Sequence, residues 1–235
     1  MKKVNVIVPS YNEAGRIERT LEEYAMFVRS MRSKYDLYLY VVNDGSKDQT
    51  AKIVKAELAK LNVTSQLLNL EINHGKGYAL KYGVFNSREA DYYYLADADL
   101  SAKWNVLADF LELAEKEDYD VVIASRGLDT SEVSTKVYKR LLGRSAALVI
   151  QLLLGLDIQD TQCGYKLFKS KTLPAFKELT IDRWGFDFEL LYLVDKMGFS
   201  IGEVGIKWVN KSGSKVKLSD YPKQLIELLK VRIKH

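Results

Sequence analysis

Only one cysteine, Cys163, occurs in the 235 residues, together with three prolines and two histidines. A lone cysteine excludes an internal disulfide framework. No Pro/Gly/Ser stretch is long enough to mark a linker to a second independent domain, and there is no internal repeat or low-complexity tract. No run reaches the roughly 18 apolar residues of a membrane span, because Gln151 and Gly155 interrupt the best candidate. Strong net charge is also missing: 35 basic residues face 31 acidic ones, for a formal +4, so the bulk charge does not call for nucleic acid. No secretory apolar region follows Met1-Lys2-Lys3, which with the single cysteine gives the expectation of a reducing, cytosolic compartment. What remains, 47% hydrophobic and 28% charged, is the balance of a soluble globular chain and excludes disordered and collagenous classes.

The charge is unevenly placed. Acidic residues concentrate before Glu132, whereas Lys136, Lys139, Arg140, Arg144, Lys207, Lys211, Lys215, Lys217, Lys223, Lys230, Arg232 and Lys234 make the C-terminal third basic, suited to an anionic surface or substrate. In the first half, β-rich runs at Lys3–Val8, Leu37–Val42, Ser65–Leu70, Tyr92–Ala96 and Asp120–Ser125 alternate with amphipathic stretches at Arg16–Met31, Asp48–Lys60, Gly77–Arg88 and Trp104–Lys116. That alternation predicts an α/β fold with a doubly wound, mostly parallel sheet and helices on both faces. A helix over Thr135–Leu154, a loop at Asp157–Gly164 and a mixed segment to Val209 follow, and Tyr221–His235 reads as a basic amphipathic C-terminal helix. The expected organisation is a catalytic domain over 1–209, with halves 1–125 and 126–209, and a basic tail over 210–235.

The distinctive polar residues all follow strands, so they converge on the carboxyl edge of the sheet, where open α/β sheets bind ligands. Asp97-Ala98-Asp99 places two carboxylates one residue apart after a buried strand, a pattern suited to holding a hard dication with a diphosphate, or else a solvated turn or helix cap before Trp104. Asn43-Asp44-Gly45-Ser46 offers Asp44 to a base or ribose, or is a strand-to-helix turn capped by Ser46 or Asp48. Pro9-Ser10-Tyr11-Asn12-Glu13 offers a ring and a carboxylate for a nucleobase, or is a capped loop. Asn73-His74-Gly75-Lys76-Gly77 opens a helix where backbone N–H groups and Lys76 can meet phosphate; it lacks P-loop spacing, and His74 reads as structural.

Taken in order, these four motifs, with Asp48 and Thr50, resemble the nucleotide-sugar half of an inverting glycosyltransferase of the GT-A type (nucleotide-diphospho-sugar transferase fold). Asp160-Thr161-Gln162-Cys163-Gly164-Tyr165-Lys166-Leu167-Phe168 and Arg183-Trp184-Gly185-Phe186-Asp187-Phe188-Glu189-Leu190-Leu191-Tyr192 are similar to the polyprenyl-phosphate branch, especially the dolichyl-phosphate β-glucosyltransferases and also the mannosyltransferases. The resemblance implies metal-dependent transfer of one hexose from a nucleotide-sugar to a polyprenyl phosphate at the cytosolic face of a membrane. It implies Pro9, Tyr11, Glu13, Asp44, Lys76 and Asp97 at the donor, and Mg²⁺ or Mn²⁺ on Asp97 and Asp99. Leu100-Ser101-Ala102-Lys103 lacks the glutamine that many mannosyltransferases place after the second aspartate, which lowers the mannosyl reading and favours UDP-glucose as donor, with mannosyl or N-acetylglucosaminyl transfer as the alternative.

The acceptor half is less determined. Guanidinium forks suit phosphate oxygens, and Arg126, Arg140 and Arg144 are the candidates, unless the last two belong to a solvated helix face. By the resemblance Asp160 is a base or an orienter of the acceptor phosphate, its plainer role being a carboxylate paired with an arginine; Arg126 and Arg140 join it as candidate catalytic residues. Asp187 and Glu189 are expected to cap a helix whose core stripe is Phe186, Leu190, Leu193, Val194 and Met197. The apolar Val137–Leu156 stretch and the tail read as interfacial helices or as packing helices, so peripheral membrane attachment, a membrane-protein partner or a homo-oligomer is expected. Rival readings are a transferase acting on a sugar hydroxyl in surface-polysaccharide assembly and a non-catalytic nucleotide-sugar binder. Asn62-Val63-Thr64 and Asn210-Lys211-Ser212 match the N-glycosylation pattern and carry no weight in a cytosolic chain.

Overall fold

Val4, Val6 and Val8 of the first strand are fully buried on one side of the sheet and Ile7 on the other, and this burial on both faces is what produces a near-continuous apolar run. The computed structural model describes residues 1–135, 137–209 and 221–235, with the side chains at 137–142, 144 and 221 excepted. In chain order the elements are β1 (Lys2–Ser10), α1 (Ile17–Met31), β2 (Tyr35–Asp44), α2 (Thr50–Lys60), β3 (Ser65–Leu70), α3 (Lys76–Phe85), β4 (Tyr92–Leu95), α4 (Val106–Lys116) and β5 (Val121–Ser125). They continue with β6 (Glu132–Ser134), α5 (Val137–Leu154), β7 (Lys166–Lys169), α6 (Leu173–Glu178), α7 (Phe186–Lys196), β8 (Ile201–Gly205), β9 (Lys207–Val209) and α8 (Tyr221–Lys234).

Seven strands form one sheet in the order β3-β2-β1-β4-β7-β5-β8, and β6 pairs with β9 separately. Every pair in the large sheet is parallel except those of β7, which runs antiparallel to β4 and β5. The chain winds outward from β1 through β2 to β3, then crosses back to place β4 on the other side of β1. A reversal of this kind opens a crevice at the carboxyl ends of the two strands beside it. Here those ends carry Pro9–Glu13 and Asp97–Asp99.

Two apolar layers sandwich the sheet. Ile17, Leu21 and Tyr24 of α1, Val54 of α2 and Leu107, Phe110 and Leu111 of α4 cover one face. Leu80 and Val84 of α3, Ile150 and Leu154 of α5, Phe176 of α6, the buried Phe186–Val194 run of α7, and Leu228 and Val231 of α8 cover the other.

The segment after Ser125 departs most from expectation. It supplies β7, inserted between β4 and β5, together with β8 and β9; the lysines at both ends of β7 hide a strand that is buried on both faces. The tail helix is not a separate appendage, because Leu228 and Val231 are 2% exposed and belong to the core. Met197 is 39% exposed rather than part of the α7 stripe. Among the described residues no helix is long and apolar enough to cross a membrane.

Candidate active site

The loop after β4 is pinned from both sides. Thr20 of α1 donates its hydroxyl to the Ala98 carbonyl at 2.7 Å, and the Tyr165 hydroxyl accepts from the Ala102 N–H at 3.1 Å. Ala98 is 6% exposed, while Asp97 and Asp99 on either side of it are partly open. Neither caps α4, whose N-cap is Asn105, so the plain capping role is absent. Asp99 accepts the Ser101 N–H at 2.9 Å.

Asp97 is the more enclosed of the two carboxylates. Lys76, the first residue of α3, brings its Nζ to 2.7 Å from Asp97 Oδ1. On the other side Gly164 lies so close that a Cβ there would sit 2.2 Å from Asp97 Oδ2; only glycine leaves room for the carboxylate. Burial alone would raise Asp97, but Lys76, with Lys166 and Arg126 behind it, holds the carboxyl below the usual carboxylate range. Burial likewise works against the charge on Lys76, and Asp97 with Asp187 keeps the ammonium above its ordinary value. Two hard oxygen donors on one turn fit a hard divalent cation such as Mg²⁺ or Mn²⁺. Burial pushes the nearby Cys163 thiol up to about 11.

The β1 and β2 loops are knitted together. Ser46 accepts the Asn12 N–H at 3.0 Å, Thr50 accepts the Glu13 N–H at 2.8 Å, and Asp48 accepts the Ala14 N–H at 3.2 Å. Glu13 is not a free carboxylate: it pairs with Arg16, whose Nη2 donates at 2.8 Å. The hydrogen bond to Glu13 raises Arg16 against the cost of burial, and the charges of Asp99 and Asp97 add to the effect. Tyr11 is half-buried in the same loop.

Asp44 is tied into the neighbouring loop. It is 3% exposed, and its oxygens accept the His74 N–H at 2.8 Å, the Gly75 N–H at 2.9 Å and the Asn73 amide at 2.7 Å. The carboxylate thus braces the 73–75 segment that leads into α3. The 73–77 segment is held from the far side too. Tyr78 N–H donates to the Asp182 carbonyl at 3.0 Å, and Gly75, at φ +114°, has no space for a Cβ beside that carbonyl oxygen, which would be 2.5 Å away.

On the β5 side, Arg126 and Asp160 form a bidentate pair, with Nε to Oδ2 at 2.6 Å and Nη2 to Oδ1 at 2.9 Å. The Arg126 backbone N–H adds a third bond at 3.0 Å, and the guanidinium lies 5.3 Å from the Trp208 ring centroid. Burial works against the Asp160 charge, yet Arg126 holds the carboxyl below its usual range. Arg140 and Arg144 lie on α5, but their side chains are outside the described residues, as are Lys136 and residues 210–220.

Sequence reasoning gave Lys166, Arg16 and Gly164 no role. Lys166 is completely buried, donating to the Cys163 carbonyl and to Asp187. Burial raises the Asp187 carboxyl even with Lys166 and Lys76 beside it. Asp187 is therefore no helix cap, and Glu189 is not one either: it accepts from the Thr180 hydroxyl at 2.6 Å and the Ile181 N–H at 2.8 Å. A lysine set between Tyr165 and Leu167 in an otherwise apolar run was the available signal for a buried charge.

Known proteins resemble this chain in sequence and in fold. Over residues 5–174 the chain fits the model of glycosyl transferase family 2. It is 37% identical over 225 residues to a dolichyl-phosphate β-glucosyltransferase of Dictyostelium discoideum, covering 91% of this chain and 68% of that one. The human dolichyl-phosphate β-glucosyltransferase is 32% identical over 231 residues, with 92% and 70% covered. In fold, the chain is similar to glucosyl-3-phosphoglycerate synthase of Mycobacterium tuberculosis. The complex of that enzyme with Mn²⁺, UDP-glucose and glycerol 3-phosphate superposes with a TM-score of 0.69 at 17% identity, covering 99% of this chain and 79% of that one. Its complex with Mg²⁺ and UDP gives a TM-score of 0.71 at 17% identity, with 98% and 79% covered. The GT-A expectation is thus met in the fold, and the matched length and identity together establish that this chain belongs to glycosyl transferase family 2.

Proposed function

We propose that the protein transfers glucose, with inversion, from UDP-glucose to the phosphate of a polyprenyl (dolichyl) phosphate at a membrane surface, with a divalent cation held by Asp97 and Asp99. The observation that carries this reading is the pairing, on one sheet edge, of a pinned two-carboxylate turn with an arginine held rigidly by a carboxylate. The relatives' names supply the sugar and the lipid.

A phosphate monoester has a second pKa of about 6 and is largely dianionic at neutral pH, so it attacks the anomeric carbon without a general base. What it needs is a cation in fixed geometry. Arg126 fills that role, with Arg140 and Arg144 of α5 as further candidates for the acceptor phosphate. Asp160, bound at both oxygens and held ionised, positions Arg126 rather than accepting a proton. This also disfavours a sugar hydroxyl as acceptor, which would call for a base. The cation, when bound, neutralises charge developing on the departing UDP. Lys76 and Arg16 add positive charge beside the same turn, and the braced Pro9–Glu13 loop, with Tyr11, forms the wall for the base.

The membrane reading rests on α5 and α8. Leu148, Val149 and Leu152 are exposed on α5, and Leu225, Ile226, Leu229 and Ile233 on α8. The four on α8 form one stripe at helical spacing, next to the stripe of exposed Lys223, Lys230 and Lys234 and away from buried Leu228 and Val231. A helix with one face in the core, one apolar face open and a basic flank suits the surface of an anionic bilayer. The test is acceptor choice: with labelled UDP-glucose, dolichyl phosphate should accept glucose and free dolichol should not. Transfer to dolichol, or to a sugar hydroxyl in preference to the lipid phosphate, would overturn the reading.

A further inference from the structure

Lys76 and a cation held by Asp97 would compete for one carboxylate. Nζ of Lys76 lies 2.7 Å from Asp97 Oδ1 with the lysine side chain 18% exposed, and Asp97 is closed on its other side by Gly164. The next cations, Lys166 and Arg126, are each committed: Lys166 to Asp187, Arg126 to Asp160. Lys76 is therefore the counter-ion of Asp97, and a dication placed on that carboxylate would stand within a few ångströms of the ammonium. A like-charge contact of that kind is unfavourable unless anionic groups arrive with the metal. The diphosphate of the donor is such a group, since its two ionised phosphates balance the charge of one dication.

We propose that Lys76 is a displaceable counter-ion: it holds Asp97 in place before the donor arrives, and swings to the diphosphate as the dication takes over the carboxylate. This rests on the assignment of the metal to Asp97 and Asp99. The side chain is built for such a move. A lysine is a point charge on a flexible stem with no fixed fork to break, and Lys76 sits at the first position of α3 with its Nζ 5.7 Å from the Phe186 ring centroid. The backbone beneath it does not have to move, because Asp44 and Asp182 clamp residues 74–78 from both sides. The consequence is coupling. Metal alone should bind weakly, metal and nucleotide should strengthen each other, and Lys76 should be the source of much of that synergy.

Mn²⁺ binding, read from the free-ion electron paramagnetic resonance signal with and without UDP, tests this independently of turnover. Wild type should bind Mn²⁺ weakly alone and far more tightly with UDP. Lys76→Met should bind Mn²⁺ alone about tenfold more tightly and lose a similar factor from the UDP effect, within the usual range of coupling between sites. Lys76→Arg, which keeps the charge, should follow wild type. Should Lys76→Met not fold, Lys76→Gln, with an uncharged polar end, takes its place. Equal Mn²⁺ affinity without UDP in wild type and the uncharged variant, or an undiminished UDP effect in that variant, would overturn the counter-ion role while leaving the metal site standing. Absence of Mn²⁺ binding to wild type even with UDP would instead overturn the metal assignment, and this inference with it.

Discussion

Replacing Asp160 by asparagine separates positioning from proton transfer. The carboxylate and Arg126 meet through two side-chain bonds of 2.6 and 2.9 Å, with a third bond from the Arg126 backbone. Charge centres about 4 Å apart at an effective dielectric near 20 interact by about 4 kcal/mol. The Arg126 side chain is 31% exposed, and solvent screening reduces the figure to about 2 kcal/mol. For a chain of this size that loss lowers Tm by about 4–8 °C. Because Arg126 would then be free to leave its fixed direction, kcat/KM for the acceptor should fall about 30-fold, equivalent to about 2 kcal/mol, with the KM for UDP-glucose little changed. Arg126→Gln should cost at least as much, and the double variant no more than Arg126→Gln alone, as expected of residues acting as a unit.

The pH dependence completes this test. The acidic limb near pH 6 comes from the second ionisation of the acceptor phosphate, so Asp160→Asn should retain it. Asp160 is lowered in the folded state, so the stability it contributes is present above the ordinary carboxylate pKa of about 4 and is lost as pH falls through the lowered value. The stability gap between wild type and Asp160→Asn should therefore close at low pH. Loss of the acidic limb in Asp160→Asn but not in Arg126→Gln would refute the positioning role and make Asp160 the base.

Three further outcomes are expected. Asp99→Ala removes one local bond to Ser101, so stability should change by about 1 kcal/mol or less, while metal-dependent turnover and the thermal shift by Mn²⁺ with UDP disappear; wild-type turnover in a folded variant would remove the metal assignment. Gly164→Ala puts a methyl 2.2 Å from Asp97 Oδ2; it should displace that carboxylate and weaken Mn²⁺ binding with UDP, and unchanged binding would contradict the packing. Ile226→Glu with Ile233→Glu, at positions 55% and 86% exposed, should leave Tm nearly unchanged but reduce binding to anionic vesicles by about tenfold or more. Undiminished vesicle binding would take α8 out of the membrane contact.

The parallel half of the sheet was legible because its strands are buried on both faces and separated by amphipathic helices of ordinary length, so β1 to β5 fell within a few residues of their places. β7 was not legible. Its four residues begin and end in lysine, and the Asp187 carboxylate, on a later helix, together with the Cys163 carbonyl explains how Lys166 stands buried there. The loops at the sheet edge were found from residue type alone, but not which groups they face. That Asp44 also braces the 73–75 loop appears only when the fold brings that loop to it. Likewise the apolar positions of α8 were visible, whereas the division between core-facing Leu228 and Val231 and open Ile226 and Ile233 depends on where α5 and α7 lie.

The most direct test of lipid-linked glucosyl transfer is an organic-extraction assay. Purified protein is incubated with dolichyl phosphate and labelled UDP-glucose, GDP-mannose or UDP-N-acetylglucosamine, with Mg²⁺, Mn²⁺ or a chelator. The predicted result is label in the organic phase from UDP-glucose, dependent on the cation. Label from another donor in its place, label undiminished by the chelator, or none from any donor with folded protein that still binds UDP would contradict it.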